Sequence, residues 1–249
     1  SRWIDIPQPL GNTSPMDRTI ILHYHLFKNA GTSVDAILKQ NFADKWITRE
    51  FPGNGGNNTA LVEDWIRETP EAIAYSSHTM MGPIPRVEGV RVISLMLLRE
   101  PVERIKSAYR FERKQQADTW GAKLAKEHDF EGYVRARLAR PGDRQCRNFQ
   151  TARLASLVPG EAPEIERAKM ALEQVSVVGL VERFDDAMSA LAARMRPVYP
   201  DFTWESVRAN TSKIGQAKDE DVMHETSLRD INVDDTSLIK EALKKQWLM

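Results

Sequence analysis

The chain has 249 residues, with 35 Lys+Arg balanced by 35 Asp+Glu for a formal net charge of zero. Six Trp and a 41% hydrophobic content supply a real core and exclude wholesale disorder. Neutrality argues against a globally basic nucleic-acid binder, which needs surplus positive charge for phosphates, and the single Cys146 excludes an intrachain disulfide or a cysteine-based zinc cluster.

In chain order, residues 1–17 are spotted with Pro, Gly, Asn and Ser and read as an extended arm ahead of one domain over 18–249. Thr19–Phe27 is bulky and apolar enough for a strand. A turn follows at Lys28-Asn29-Ala30-Gly31. Thr32–Phe42 then reads as a helix, with Val34, Ile37, Leu38 and Phe42 at helical spacing and Thr32 or Ser33 as N-cap. Residues 52–58 form a Gly/Asn-rich loop, Leu61–Arg67 a helix, and Ala72–Ser76 a short strand that runs into Ser77-His78 and a Gly82-Pro83 break. Val90–Leu98, a continuous apolar run, fits a strand buried on both faces of a parallel sheet. Pro101 starts a helix with Val102, Ile105 and Tyr109 on one face. Helices fill much of 110–172, and a strand at Val175–Val181 leads into a helix from about Asp185 to Met195.

This alternation predicts an α/β fold with a mainly parallel central sheet flanked by helices. Ligands of such sheets sit beyond the carboxyl ends of the strands, where Lys28, His78 and Arg99 all fall. The first strand–turn–helix has the makings of a P-loop-like anion cradle. Its small residues admit close approach to backbone N–H groups, the helix start carries partial positive charge, and a Lys and two hydroxyls stand beside it. It lacks the Walker A spacing, because Lys28 precedes Gly31. The second segment of interest, Leu97 to Tyr109, places Arg99 at a strand end and Ser107 two helical turns later, a bidentate clamp and a hydroxyl for one phosphate.

Together these segments resemble the sulfotransferases that use 3′-phosphoadenosine 5′-phosphosulfate (PAPS), in particular the carbohydrate branch typified by heparan-sulfate 2-O-sulfotransferase and its bacterial relatives. Phe27-Lys28-Asn29-Ala30-Gly31-Thr32-Ser33 is similar to the family's 5′-phosphosulfate loop, with Phe27 in place of the usual Pro and Asn29 in place of Thr. Arg99-Glu100-Pro101 with Ser107 is similar to its 3′-phosphate element. Cys146–Leu154 and Val178–Phe184 fit the same branch, and Asn210-Thr211-Ser212-Lys213 is similar to a late loop that closes over the nucleotide. The motifs run in family order from about residue 19 to 213, and the last 35 or so residues add nothing to them.

The resemblance implies that Lys28 faces the leaving bridging oxygen of PAPS. It implies that Asn29, Ala30, Gly31, Thr32 and Ser33 hold the 5′-phosphate, that Arg99 and Ser107 hold the 3′-phosphate, and that Asn210, Ser212 and Lys213 close over them. His78 would be the general base towards an acceptor hydroxyl, with Glu50 as the substitute some relatives favour. PAPS is then a co-substrate, no metal is required, and the acceptor is carbohydrate-like. His23 and His25 alternate on one strand face without an acidic or cysteine partner at ligand spacing, so they read as strand residues.

Arg135, Arg137, Arg140, Arg144 and Arg147 form a stripe that an acidic acceptor would need. Lys28, Arg99, Arg104 and Lys213 would gather about the nucleotide. Overall neutrality disfavours a long heparin-like groove and points to a neutral or modestly charged acceptor. Two other readings stay open: a small-molecule kinase with an atypical phosphate loop, and a nucleotide-binding module without catalysis. No apolar run is long enough to span a bilayer and no signal segment opens the chain, so the expected location is the cytoplasm. The start at Ser1 rather than Met leaves an upstream anchor open. Acceptor identity and oligomeric state are not legible.

Overall fold

The computed structural model describes residues 18–206 and 222–247. The expected N-terminal arm over 1–17 and the late-loop residues Asn210, Ser212 and Lys213 lie outside the described residues. Five strands, β1 (Arg18–Tyr24), β2 (Trp46–Thr48), β3 (Ala74–Ser77), β4 (Val90–Leu98) and β5 (Val177–Leu180), form one sheet in the order β2-β3-β1-β4-β5. Every neighbouring pair is parallel. Ten α-helices accompany it among the described residues: α1 (Gly31–Phe42), α2 (Thr59–Glu68), α3 (Pro101–Lys114), α4 (Trp120–Glu127), α5 (Phe130–Ala139), α6 (Phe149–Ala155), α7 (Glu164–Gln174), α8 (Phe184–Met195), α9 (Val222–Ile231) and α10 (Val233–Trp247). The fold is α/β with an all-parallel central sheet.

Strand side chains alternate between faces, and here both faces are apolar because both are covered. Ile21, Ala74, Ile93, Leu95, Leu97 and Val177 pack on Val34, Ile37 and Leu38 of α1 and Met188 and Leu191 of α8. On the other face Ile20, Leu22, Tyr75, Met96, Leu98 and Leu180 meet Trp65 and Ile66 of α2, Leu172 of α7 and Leu238 of α10. A third cluster joins Val102, Ile105 and Tyr109 of α3 to Leu124, Tyr133, Cys146 and Leu228. Parallel pairing with cover on both sides accounts for the run Val92–Leu98 of β4, apolar but for Ser94.

Several boundaries move for identifiable reasons. β1 ends at Tyr24, because the Leu26 amide turns back to the Tyr24 carbonyl at 3.0 Å and leaves the ladder. α1 begins at Gly31 with Ala30 as N-cap, so Thr32 and Ser33 sit in its first turn and cap nothing. β2 has only three residues, too short for its alternation to stand out. Pro101 does open a helix, whose N-cap Glu100 accepts the Glu103 amide at 2.8 Å. The chain leaves β1 towards β2 on one side and β4 towards β5 on the other. Their carboxyl ends therefore flank the crevice where connections diverge, the position at which parallel sheets bind ligands.

Candidate functional site

The loop after β1 is shaped by two residues in the left-handed region, Lys28 (φ 65°) and Ala30 (φ 58°). Neither is Gly, so both conformations are strained and need outside support. Asn29 between them supplies it. Its side chain is buried and donates to the Leu97 carbonyl and to Gln150 Oε1, both at 2.9 Å, while its amide bonds to the Leu26 carbonyl at 3.2 Å. Asn29 therefore braces the loop from behind, with its polar groups turned into the fold. The backbone N–H groups of Ala30, Gly31 and Thr32 find no acceptor among the described residues. Successive free amides at a left-handed-to-helical step form a concavity that suits an anion. Thr32 is exposed, Ser33 is half-buried, and neither hydroxyl is engaged by a described residue.

Two cations stand at this concavity. Lys28 is half-buried, with its ammonium 4.7 Å from the centre of the Phe111 ring. Arg99 donates from Nη1 to the Lys28 carbonyl at 3.0 Å, which joins the loops after β1 and β4. Arg99 is itself clamped by the buried Gln150, which accepts its amide at 2.8 Å and donates to its carbonyl at 2.7 Å. Gln150 in turn donates to Asp235 of α10 at 3.3 Å. Neither Lys28 nor Arg99 makes an ion pair with a described carboxylate. Burial, then the charge of Arg99, lowers the Lys28 pKa, and burial lowers that of Arg99 against the pull of Glu182. A site that holds two such cations without a paired acid favours an anionic ligand. Ser107 lies half-buried on α3, its hydroxyl unengaged among the described residues.

Beside this loop lies a chain of imidazoles and carboxylates. His23 Nδ1 is 2.8 Å from Asp35 Oδ1 and His25 Nδ1 is 3.1 Å from Asp35 Oδ2. Ser76 donates to Asp35 Oδ1 at 2.6 Å and accepts from Trp46 Nε1 at 3.1 Å. Burial would raise the Asp35 pKa, but the hydrogen bonds from His23, His25 and Ser76 outweigh it and hold the carboxyl well below its usual range. Burial lowers the His23 pKa against the same carboxylate. His23, His25 and Asp35 present atoms within 4.8 Å of one another, a spacing that could hold a metal ion. In this structure Asp35 joins the two histidines by hydrogen bonds through Nδ1 of each.

The ring of His25 packs against that of His78 at 3.9 Å between centres, tilted by 31°. His78 Nδ1 lies 2.9 Å from Glu50 Oε1, and the His78 amide reaches both Glu50 oxygens at 3.1 Å. Glu50 also accepts from Thr79 Oγ1 at 2.6 Å. Burial acts to raise the Glu50 pKa, and the bonds from Thr79 and His78 overcome it, so the group stays ionised and below the usual carboxylate range. The two residues expected as alternative bases thus form one dyad. Glu50 holds the ring through Nδ1, and the His78 side chain is 51% exposed with Nε2 unengaged by any described residue.

Other expectations are redistributed. Arg104 does not join the cations. It is 1% exposed, donates to the side chain and carbonyl of Gln145 and lies 4.4 Å over the Phe149 ring. The arginine stripe is largely taken up in the fold: Arg137 pairs with Glu112 (2.7 Å) and Asp143 (2.8 Å), Arg144 with Glu164 (2.6 Å), Arg135 with Glu131, and Arg140 stacks on Trp120. Arg147 remains exposed. The C-terminal helices do contribute, since buried Asp235 holds Thr151 and Gln150 from behind.

Sequence reasoning missed Asp35, Gln150, Arg153 and Asp235. Asp35 had a signal: two histidines on one face of an apolar strand need a buried acceptor, and the following helix carries one acid on the covering side. Arg153 donates to the His78 carbonyl, a contact between α6 and the β3 loop that no spacing announces.

No family model matches the chain. It is 38% identical over 204 residues to an uncharacterised protein of Archaeoglobus fulgidus, an alignment that covers 78% of this chain and 80% of the archaeal one. Identity at that level across most of both chains places this protein in one family with the archaeal protein.

Proposed function

We propose that this protein is an enzyme that transfers the sulfuryl group of PAPS to a hydroxyl of a carbohydrate-like acceptor. One observation carries the reading: Lys28 and Arg99, two cations without a paired acid among the described residues, meet at loop amides that no described residue engages, beside a histidine–carboxylate dyad. The first half of that arrangement suits a phosphosulfate, and the second suits removal of a hydroxyl proton. The free amides of Ala30, Gly31 and Thr32, with the Thr32 and Ser33 hydroxyls, bind the 5′-phosphate. Arg99 and Ser107 bind the 3′-phosphate.

In the reaction His78 Nε2 takes the acceptor proton as the acceptor oxygen bonds to sulfur. The bond from sulfur to the bridging phosphate oxygen breaks in line. Lys28 meets the negative charge that develops on that oxygen, where a preplaced cation lowers the barrier most. Glu50, kept ionised, accepts the hydrogen bond from His78 Nδ1–H and stabilises the imidazolium that forms. The products are a sulfate ester and 3′-phosphoadenosine 5′-phosphate.

The test is transfer of labelled sulfate from PAPS to a panel of neutral and acidic glycans. Wild-type protein should label at least one. Lys28→Ala and His78→Ala should each lose about 100-fold or more in turnover, the range in which one oxyanion donor or one general base contributes. Normal turnover by His78→Ala would remove the base assignment, and transfer from ATP with none from PAPS would replace sulfuryl by phosphoryl chemistry.

A further inference from the structure

Fixing the backbone of Lys28 does not fix its ammonium. The residue is held at φ 65° with its carbonyl on Arg99 Nη1, but a flexible four-carbon stem separates the charge from that anchor. The ammonium lies 4.7 Å from the centre of the Phe111 ring, and no described carboxylate pairs with it. Phe111 stands on α3 one helical turn beyond Ser107, and at 42% exposure core packing alone does not set its ring. Phe27 sets it, edge against ring, with centres 5.5 Å apart and planes at 78°, an arrangement that the ring quadrupoles favour. Phe27 immediately precedes Lys28 and stands where the resembled loop has Pro.

We propose that Phe111, braced by Phe27, is a positioning residue for Lys28: its ring face holds the ammonium at the anion loop without neutralising it. The inference rests on the reading of Lys28 as the cation that meets the bridging oxygen of the ligand. A carboxylate in place of the ring would also hold the ammonium, but it would cancel the charge and compete with an anion. A ring face attracts the cation through its quadrupole and takes up one side of it only. An ammonium has three N–H donors, so the side away from the ring stays open to phosphate oxygens. A cation already in place needs no reorganisation when charge develops on the leaving oxygen. The ring also favours the charged form of Lys28, which burial and Arg99 oppose.

The ring pair also joins two elements of the site. Phe27 belongs to the loop that bears Lys28, and Phe111 to the helix that bears Ser107. The lysine is thus held by the same helix that carries the hydroxyl assigned to the second phosphate. Because Phe111 is partly exposed, its replacement leaves the core clusters of the sheet intact, and effects on the ligand can be read on folded protein.

The experiment compares wild type with Phe111→Leu, which keeps an apolar side chain and removes the quadrupole, and with Phe111→Tyr, which restores a ring. Lys28→Ala and the Phe111→Leu/Lys28→Ala double variant complete a cycle. The first readout needs no ligand. Reductive methylation with 13C-formaldehyde labels the lysines and keeps their charge, and the Lys28 signal is the one missing from Lys28→Ala. Ring current over an aromatic face should shift that signal upfield in wild type and Phe111→Tyr, and Phe111→Leu should return it to the range of the other lysines. The second readout is calorimetry of unmodified protein with 3′-phosphoadenosine 5′-phosphate, whose 5′-phosphate keeps the oxygen that bridges to sulfur in PAPS.

Phe111→Leu should weaken binding about 2- to 30-fold, the span of a cation–π contact from exposed to desolvated, and Phe111→Tyr should stay within about twofold of wild type. On the Lys28→Ala background Phe111→Leu should change affinity by less than about twofold, because the ring acts only through the lysine. An unshifted Lys28 signal in wild type, or equal affinity of wild type and Phe111→Leu, would overturn the proposal. So would an undiminished loss on the Lys28→Ala background, which would make Phe111 a contact of the ligand itself. If the nucleotide does not bind wild type at all, the nucleotide reading has failed, and inorganic pyrophosphate becomes the probe of the same cycle. The same pattern with pyrophosphate would sustain the proposal without the nucleotide, and absence of binding by both probes would overturn it as well.

Discussion

Substituting Gly31 by Ala adds one methyl group at the most crowded contact of the site. The new Cβ would lie 1.9 Å from Cδ2 and Nε2 of His25, against an ordinary contact of about 3.5 Å, so the ring must retreat by roughly 1.5 Å. It has no free direction. Asp35 holds Nδ1 at 3.1 Å and the His78 ring closes the other side at 3.9 Å. Overpacking costs about 1–3 kcal/mol, and a lost hydrogen bond to a charged group about 1.5–3 kcal/mol. The better helix propensity of Ala returns at most about 1 kcal/mol. The expected net loss is about 2–4 kcal/mol, or a Tm lower by about 10 °C for a chain of this size.

Denaturant and thermal unfolding of the single variants and of the Gly31→Ala/His25→Ala double variant measure it. Removing the His25 ring leaves room for the methyl group, so the cycle should give a coupling of about 1.5–3 kcal/mol in favour of the pair. The double variant should be about as stable as His25→Ala alone. A loss below about 0.5 kcal/mol for Gly31→Ala, or the absence of rescue by His25→Ala, would refute the packing argument.

Arg104→Met should destabilise the protein measurably, because Gln145 loses its partner, yet leave nucleotide affinity within about twofold; a large affinity loss would return Arg104 to the anion site. Cys146 is buried, and burial, with Arg104 and Arg137 opposing, pushes its thiol up to about 12, so a thiol reagent at pH 8 should label only unfolded chains. Rapid native labelling would contradict that burial. The His23 pKa is lowered in the folded state by burial, so on acidification the unfolded chain binds the proton first. Stability should therefore fall as pH drops below about 6.5, the ordinary histidine value, well above the range where Asp35 and Glu50 are protonated. His23→Asn should flatten unfolding free energy between pH 7 and 5, and an unchanged slope would assign that limb elsewhere.

The parallel sheet was legible because its signals are local. The run Val90–Leu98 has no polar residue but Ser94 and Arg91, and Pro101 sits at the first position of the helix after it. Lys28, Arg99 and His78 fall at strand ends by the same logic. What stayed hidden depends on contacts over long separations. Asn29 looked like a ligand contact, but its bond to Gln150 spans 121 residues and turns it inward. Arg104 shares a helix with Ser107 but lies on the side that packs beneath Phe149. The arginine stripe looked free in sequence because two of its acids, Glu112 and Glu164, come from other helices. The histidines of β1 looked unpartnered because Asp35 reaches them only when α1 folds back over the sheet.

The central claim is that the junction of Lys28 and Arg99 is a phosphate site for this nucleotide. Calorimetry with 3′-phosphoadenosine 5′-phosphate tests it most directly. Binding at micromolar concentration by wild type, weakened at least tenfold in both Lys28→Ala and Arg99→Ala with folding intact, is the predicted result. No binding by wild type, or equal affinity in all three proteins, would contradict it.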